Sequence, residues 1–232
     1  MMRSTIALHS SGLGPWQWKQ LQGEVIAPQF VRDTAEEDIA DVVAILKAQK
    51  MTAHLVGHSY GGFVALKAAL EVPDKVRTLF AFEPVAYGVL KTPAERSDLD
   101  ALKAEPWFSA PDTGGDAAWL ERFVDYWSGT GAWKEMSDNV QKSFLSQGRR
   151  VFGEVMSLNK DTTPVETYAQ TLRMPVVIMS GTESPVSARK VAERLGQSLR
   201  QGQHMTIKGA GHMAPLTHFR DVNAAIMALS RA

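Results

Sequence analysis

Gly57-His58-Ser59-Tyr60-Gly61 fits the pattern G-x-S-x-G, and the residues on either side decide how it is read. Before it, Ala53-His54-Leu55-Val56 is a short apolar run; after it, Gly62-Phe63-Val64-Ala65-Leu66-Lys67-Ala68-Ala69-Leu70 is rich in helix formers and ends near Pro73. This context is strand, sharp turn, helix, and the motif reads as a nucleophile elbow. A serine at such a turn takes a strained backbone conformation, while Gly57 and Gly61 remove side chains that would collide where strand and helix cross closely. The Ser59 hydroxyl is pushed out above the sheet. The free N–H of Tyr60, at the helix N-terminus, points at developing negative charge and serves as an oxyanion donor.

Working outward, Thr5-Ile6-Ala7-Leu8 reads as a first strand, followed by the turn His9-Ser10-Ser11-Gly12-Leu13-Gly14. Residues 24–27 read as a second strand. Thr34 and Glu37 form a capping box ahead of Ile39, Val42, Val43 and Leu46 at helical spacing, which predicts an amphipathic helix over about 35–49. Further strands are expected at 76–82, 176–179 and 204–207. Apolar runs alternating with helices imply an α/β fold with a mostly parallel sheet covered on both faces. Between about 86 and 164 the rhythm breaks. That segment holds four of the six tryptophans, Trp107, Trp119, Trp127 and Trp133, with helical patterns and no convincing strand. It is expected to be a helical insertion over the C-terminal edge of the sheet, where ligands of open α/β folds bind. Phe123, Trp127 and Trp133, with His58 of the elbow, form the candidate small-molecule pocket.

A chain of 232 residues suits one α/β domain spanning 1–232. Lys plus Arg and Asp plus Glu are balanced at 25 each, so neither nucleic acid nor an anionic membrane surface is an expected partner. The absence of cysteine excludes disulfides, thiol catalysis and thiolate metal sites. Met1 to Gly14 carries one basic residue and too short an apolar run for a signal peptide, and nothing later approaches a membrane span. The expected location is the cytoplasm, and neither a metal nor a cofactor is expected.

A serine hydroxyl is too weakly acidic to act alone; a histidine must remove its proton and a carboxylate should fix that histidine's tautomer. Of six histidines, His212 follows the final strand, in Gly209-Ala210-Gly211-His212-Met213, at the sheet edge to which the elbow delivers Ser59. His58 packs against or tunes the site, His54 and His204 lie at strand starts on the opposite edge, and His218 lies in the last helical region. The turn after the first strand supplies the second oxyanion donor, assigned to the N–H of Ser11.

With these pieces the chain resembles the α/β-hydrolase family over nearly its full length. The matching parts are the elbow, the His9-Ser10-Ser11-Gly12 turn, Gly211-His212 after the last strand, and a helical cap after the fourth strand. It is most similar to a poorly characterised bacterial subgroup through Phe82-Glu83-Pro84-Val85, Phe123-Val124-Asp125-Tyr126-Trp127, Gly131-Ala132-Trp133 and the stretch from Gly211 to His218. The resemblance implies a catalytic triad and supplies no substrate. The family's first antiparallel hairpin is missing here, so the sheet should have about six strands. Many relatives carry Asp where this chain has Ser184, in Gly181-Thr182-Glu183-Ser184-Pro185; some place the acid after the strand following the elbow, where Glu83 stands. A carboxylate following an apolar strand needs a partner, and the His212 imidazole would serve. Glu183, one residue off register, is the alternative acid.

The expected function is a cofactor-free serine hydrolase of a small, largely apolar ester or related acyl substrate, working through an acyl-enzyme. Within the same fold the resemblance also permits C–C bond hydrolysis, perhydrolase (haloperoxidase-like) activity or a lyase reaction. The alternative of another class is a ligand-binding homologue without turnover.

Overall fold

The computed structural model describes residues 4–231; of the N-terminal stretch read above, Met1 to Arg3 lie outside the described residues. Six parallel strands form one sheet: β1 (Thr5–Leu8), β2 (Val25–Ile26), β3 (Ala53–His58), β4 (Val76–Phe82), β5 (Val176–Gly181) and β6 (Gly202–Ile207), in the order β2-β1-β3-β4-β5-β6. The helices are α1 (Ala35–Ala48), α2 (Tyr60–Glu71), α3 (Ser97–Ala104), α4 (Ala117–Ser128), α5 (Ala132–Glu135), α6 (Asp138–Leu158), α7 (Val165–Thr171), α8 (Val186–Ser198), α9 (Ala214–Thr217) and α10 (Phe219–Ser230).

Strand alternation divides the core. Ile6, Leu8, Leu55, Leu79 and Ile178 pack on one face with Val42 and Leu46 of α1, Phe63 and Leu66 of α2, and Val191 and Leu195 of α8. Their neighbours Ala7, Val56, Phe80, Phe82, Val177 and Met179 pack on the other face with Val222, Ile226 and Leu229 of α10. Successive side chains point to opposite faces, so strands covered on both sides must be apolar throughout. At the start of α1 the expected capping box forms by half: Thr34 Oγ1 accepts the Glu37 N–H, but Glu37 Oε2 accepts from the Thr34 hydroxyl, at 2.9 Å, and not from its backbone N–H. The last strand begins two residues earlier than its apolar run suggests, at Gly202, because backbone pairing with β5 extends across the polar Gln203.

Every described element assigned between β4 and β5 is helical. A third apolar cluster lies there, joining Trp119, Leu120 and Val124 of α4 to Trp133 of α5 and to Phe144, Val151, Phe152 and Val155 of α6. It also takes in Leu13, from the turn after β1, so these helices are seated over the C-terminal ends of the strands. Among the described residues no helix is long and apolar enough to cross a membrane.

Candidate active site

Ser59 links β3 to α2 with φ 55° and ψ −119°. This conformation is enforced by close packing on two sides. A Cβ at Gly57 would lie 2.4 Å from the Gly61 carbonyl oxygen, and one at Gly61 would lie 2.4 Å from the Leu8 carbonyl oxygen. The second contact involves the end of β1, so the elbow is clamped by a neighbouring strand as well as by its own helix. The Ser59 N–H donates to Phe82 O at 2.9 Å, which ties the turn to the end of β4. Among the described residues, one other non-glycine residue has positive φ: Glu83, at 43°. Each such conformation costs about 1–3 kcal/mol and persists where the surroundings over-determine it.

Glu83 follows β4 directly and is fully buried. Its backbone N–H donates to Met179 O at 2.8 Å, and its Oε1 accepts the Gly181 N–H at 2.7 Å. Its Oε2 accepts from Nδ1 of His212 at 2.6 Å. A carboxylate buried with two donors aimed at its two oxygens avoids the cost of an unpaired charge. The contact leaves the His212 Nε2 side of the ring to face the opening shared with Ser59, for both residues line one cavity of about 460 Å3. The Trp127 ring stacks on the imidazole, 3.9 Å between centroids and 27° between planes. Glu183 is exposed, and it lines a further cavity that Trp127 and His212 also line; Ser184 is buried.

Behind His212 lies a relay that begins at the turn after β1. The Ser10 N–H donates to Gln17 Oε1 at 3.0 Å, which orients the Gln17 amide so that Nε2 donates to His58 Nδ1 at 3.1 Å. His58 is thereby a neutral imidazole carrying its proton on Nε2, and it donates to the His212 carbonyl oxygen at 2.9 Å. Complete burial, with His212 and His9 nearby, holds its pKa well below the usual histidine range. His58 therefore belongs behind the site and does not line either cavity that reaches Ser59. The expectation that it faces substrate is corrected: the residue before the serine is the last of β3 and points down into the sheet layer.

The two residues expected to donate to an oxyanion are anchored in one buried acid cluster. The Tyr60 hydroxyl donates to Asp38 Oδ2 at 2.8 Å, and the Ser11 side chain lies beside the carboxyl of Glu154 and favours its charged form. Glu154, on α6, pairs with Arg150 one turn earlier. Burial pushes Asp38 up to about 6 and Glu154 up to about 7, opposed by Tyr60 and Arg150 at Asp38 and by Arg150 and Ser11 at Glu154. Burial likewise drives the Tyr60 phenol upward. Asp38 and Glu154, which line neither cavity at Ser59, thus lie behind the Tyr60 and Ser11 side chains. Sequence reading missed Asp38 and Glu154, although each lies on the apolar stripe of its helix, beside Ile39 and Val42 and beside Val151 and Val155. An unmatched carboxylate on a buried stripe is the signal.

Of the expected pocket residues, Phe123 and Trp127 line both cavities at Ser59. Trp133 does not. It is buried in the third apolar cluster, edge-on to Phe144 with centroids 6.2 Å apart. The Asp125 carboxylate accepts both the Gly131 and Trp133 N–H groups and so draws α5 against α4, turning that indole away from Ser59. Composition marks an aromatic without telling which way it turns. The four remaining histidines have partners of their own: His54 meets Thr78 at 2.8 Å, His204 meets Ser180 at 2.9 Å, His218 meets the neighbouring Thr217 at 2.9 Å, and His9 spans Ser10 O and the Phe30 N–H.

A serine on a strained turn, a histidine on the neighbouring loop and a carboxylate locking that histidine, all at the C-terminal edge of a parallel sheet, define an arrangement suited to nucleophilic chemistry. A profile of the alpha/beta hydrolase family matches residues 6–225. Rhodomycin D methylesterase DauP of Streptomyces sp. (strain C5) is 26% identical over 221 residues, covering 85% of this chain and 73% of that protein. Among solved structures, olei00960, a hydrolase from Oleispira antarctica, superposes with TM-score 0.77 at 15% identity over 100% of this chain and 92% of its own. The enol-lactonase from Burkholderia xenovorans LB400 gives TM-score 0.75 at 13% identity over the same shares. The chain belongs to the alpha/beta hydrolase family.

Proposed function

We propose that this chain is a serine hydrolase of a small, largely apolar ester, with Ser59 as nucleophile, His212 as general base and acid, Glu83 as the acid that orients His212, and the N–H groups of Ser11 and Tyr60 as the oxyanion hole. The helices between about 86 and 164 act as its cap. The observation that carries the reading is the Glu83 to His212 hydrogen bond at 2.6 Å beside a cavity shared by His212 and a serine at positive φ.

The steps follow from the geometry. Because Glu83 accepts from Nδ1, the unprotonated Nε2 can take the Ser59 proton as Oγ attacks the ester carbonyl carbon. The oxygen of the tetrahedral intermediate carries full negative charge where the first N–H of α2 has no intrahelical acceptor, and preorganised donors there lower the barrier. His212 then protonates the departing alkoxide, and water repeats the sequence in reverse on the acyl-enzyme. The apolar lining of both cavities and the likeness to a methylesterase support an ester as substrate. Ser59→Ala should lose on the order of a million-fold in turnover of p-nitrophenyl acetate and all labelling by a fluorophosphonate probe, with an unchanged circular dichroism spectrum. Retention of a tenth of the wild-type turnover would overturn the assignment.

A further inference from the structure

Two cavities meet at Ser59, and they are unequal. The smaller, about 30 Å3, runs from Ser11 and Ser59 to an apolar wall formed by Tyr87, Leu99, Leu102 and Phe108. The larger, about 460 Å3, passes the oxyanion turn and α6 and reaches His212 and Met213. Ser11, Ser59, Phe123 and Trp127 line both, so the two aromatic rings form the partition and the reacting carbon sits at the junction. Of the two cavities, only the larger is lined by His212.

Resting on the hydrolase reading, the chemistry orients an ester across this junction. The alkoxy oxygen must take its proton from His212, so it lies on the His212 side and the alcohol's skeleton extends into the larger cavity. The acyl substituent, on the other side of the carbonyl carbon, is left with the smaller one. About 10–15 Å3 is the space for one water, so a cavity of about 30 Å3 admits a methyl or ethyl group. Tyr87, Leu99 and Phe108 are buried in packed clusters, so widening the chamber means displacing core. The larger cavity is within the range that encloses a drug-sized molecule.

We infer that the substrate class is an ester of a short acid, acetate or propionate, with a bulky apolar alcohol. On acylation the bond from Ser59 Oγ to the acyl carbon forms, the bond from that carbon to the alkoxy oxygen breaks, and the Ser59 proton passes through His212 to the departing alcohol. On deacylation a water oxygen bonds to the same carbon, the bond to Ser59 breaks, and the water proton returns to Ser59 through His212. A short acid and a large alcohol are released.

Two isomeric esters test this, 2-naphthylmethyl acetate and methyl 2-naphthylacetate, which differ only in the direction of the ester group. The first is expected to have a kcat/KM at least about 100-fold higher, since a single misfit methylene is worth about 10- to 200-fold. A ratio within tenfold, or a preference for the methyl ester, overturns the inference. So does labelling of Ser59 by a small fluorophosphonate with turnover of neither ester, whereas absence of both labelling and turnover overturns the hydrolase reading itself. In a second arm, Leu102→Ala, which trims a half-buried wall of the small chamber, should raise activity toward 2-naphthylmethyl hexanoate relative to the acetate by at least about tenfold. An unchanged ratio in that arm counts against the acyl assignment of the chamber.

Discussion

Glu83→Gln tests the proposed triad most sharply, because a backbone donor decides how the new amide must sit. In the wild type, Oε1 accepts the Gly181 N–H at 2.7 Å and Oε2 accepts from His212 Nδ1 at 2.6 Å. An amide has one acceptor oxygen and one donor nitrogen. The Gly181 N–H is fixed in β5 and cannot turn away, so the glutamine oxygen faces it and the NH2 group faces His212. His212 must then accept at Nδ1 and carry its proton on Nε2, the tautomer that cannot take a proton from Ser59. Flipping the amide to restore the working tautomer sets two buried donors against each other and costs about 1–3 kcal/mol. Loss of the negative charge opposite the imidazolium that forms during attack adds the remainder. The corresponding change in a serine protease lowers turnover about ten-thousand-fold, equivalent to about 5.4 kcal/mol at 1.36 kcal/mol per factor of ten. The assay is steady-state hydrolysis of p-nitrophenyl acetate with thermal unfolding as a fold control; Glu183→Gln, altered at an exposed position, should keep most of its activity. More than a tenth of wild-type turnover in Glu83→Gln, or an equal loss in Glu183→Gln, would refute the reasoning.

Trp127→Ala removes both the ring stacked on His212 and part of the partition between the cavities, so it should narrow the discrimination between 2-naphthylmethyl acetate and hexanoate. Trp133→Ala, a truncation inside the cap cluster, should cost about 3–5 kcal/mol in urea unfolding and leave that discrimination unchanged. Burial lowers the His9 pKa from 6.5 to about 4, and its Nε2 is occupied as an acceptor for the Phe30 N–H. The unfolded chain therefore binds a proton here that the folded chain refuses between pH 6.5 and 4. The stability contribution is intact above pH 6.5 and declines as pH falls through that window, by about 3 kcal/mol in total. Urea unfolding of wild type and His9→Gln at pH 7.5 and 4.5 should show wild type losing about 2–3 kcal/mol more than the variant; equal losses would contradict it.

The elbow and the strand and helix that flank it were legible because the signals are local: small residues at a turn, an apolar run before, helix formers after. Ser59 and His212 could be paired because both come just after strands, and parallel strands deliver their succeeding loops to one edge. Glu83 was reachable by the same rule, but its exclusive claim on His212 was not, since that depends on β4 lying beside β5 and on the Gly181 N–H filling the other oxygen. Trp133 and His58 were misplaced because residue type reports what a side chain can contact, while the direction it takes is set by the turn held by Asp125 and by the last step of β3. Asp38 and Glu154 were visible as carboxylates on apolar stripes, yet their partners lie far apart in sequence, on the elbow, the first turn and α6.

The second letter of G-x-S-x-G is written as free, and at His58 it is not. A library randomising position 58 alone should favour histidine, because the side chain there must accept from Gln17 on one side and donate to the His212 carbonyl oxygen on the other, which few side chains can do. Varying positions 17 and 58 together would recover other pairs that pass the same two bonds along. The freedom of the motif is thus a property of two positions 41 residues apart, and an elbow moved into another member of the fold keeps these two bonds only if position 17 travels with it.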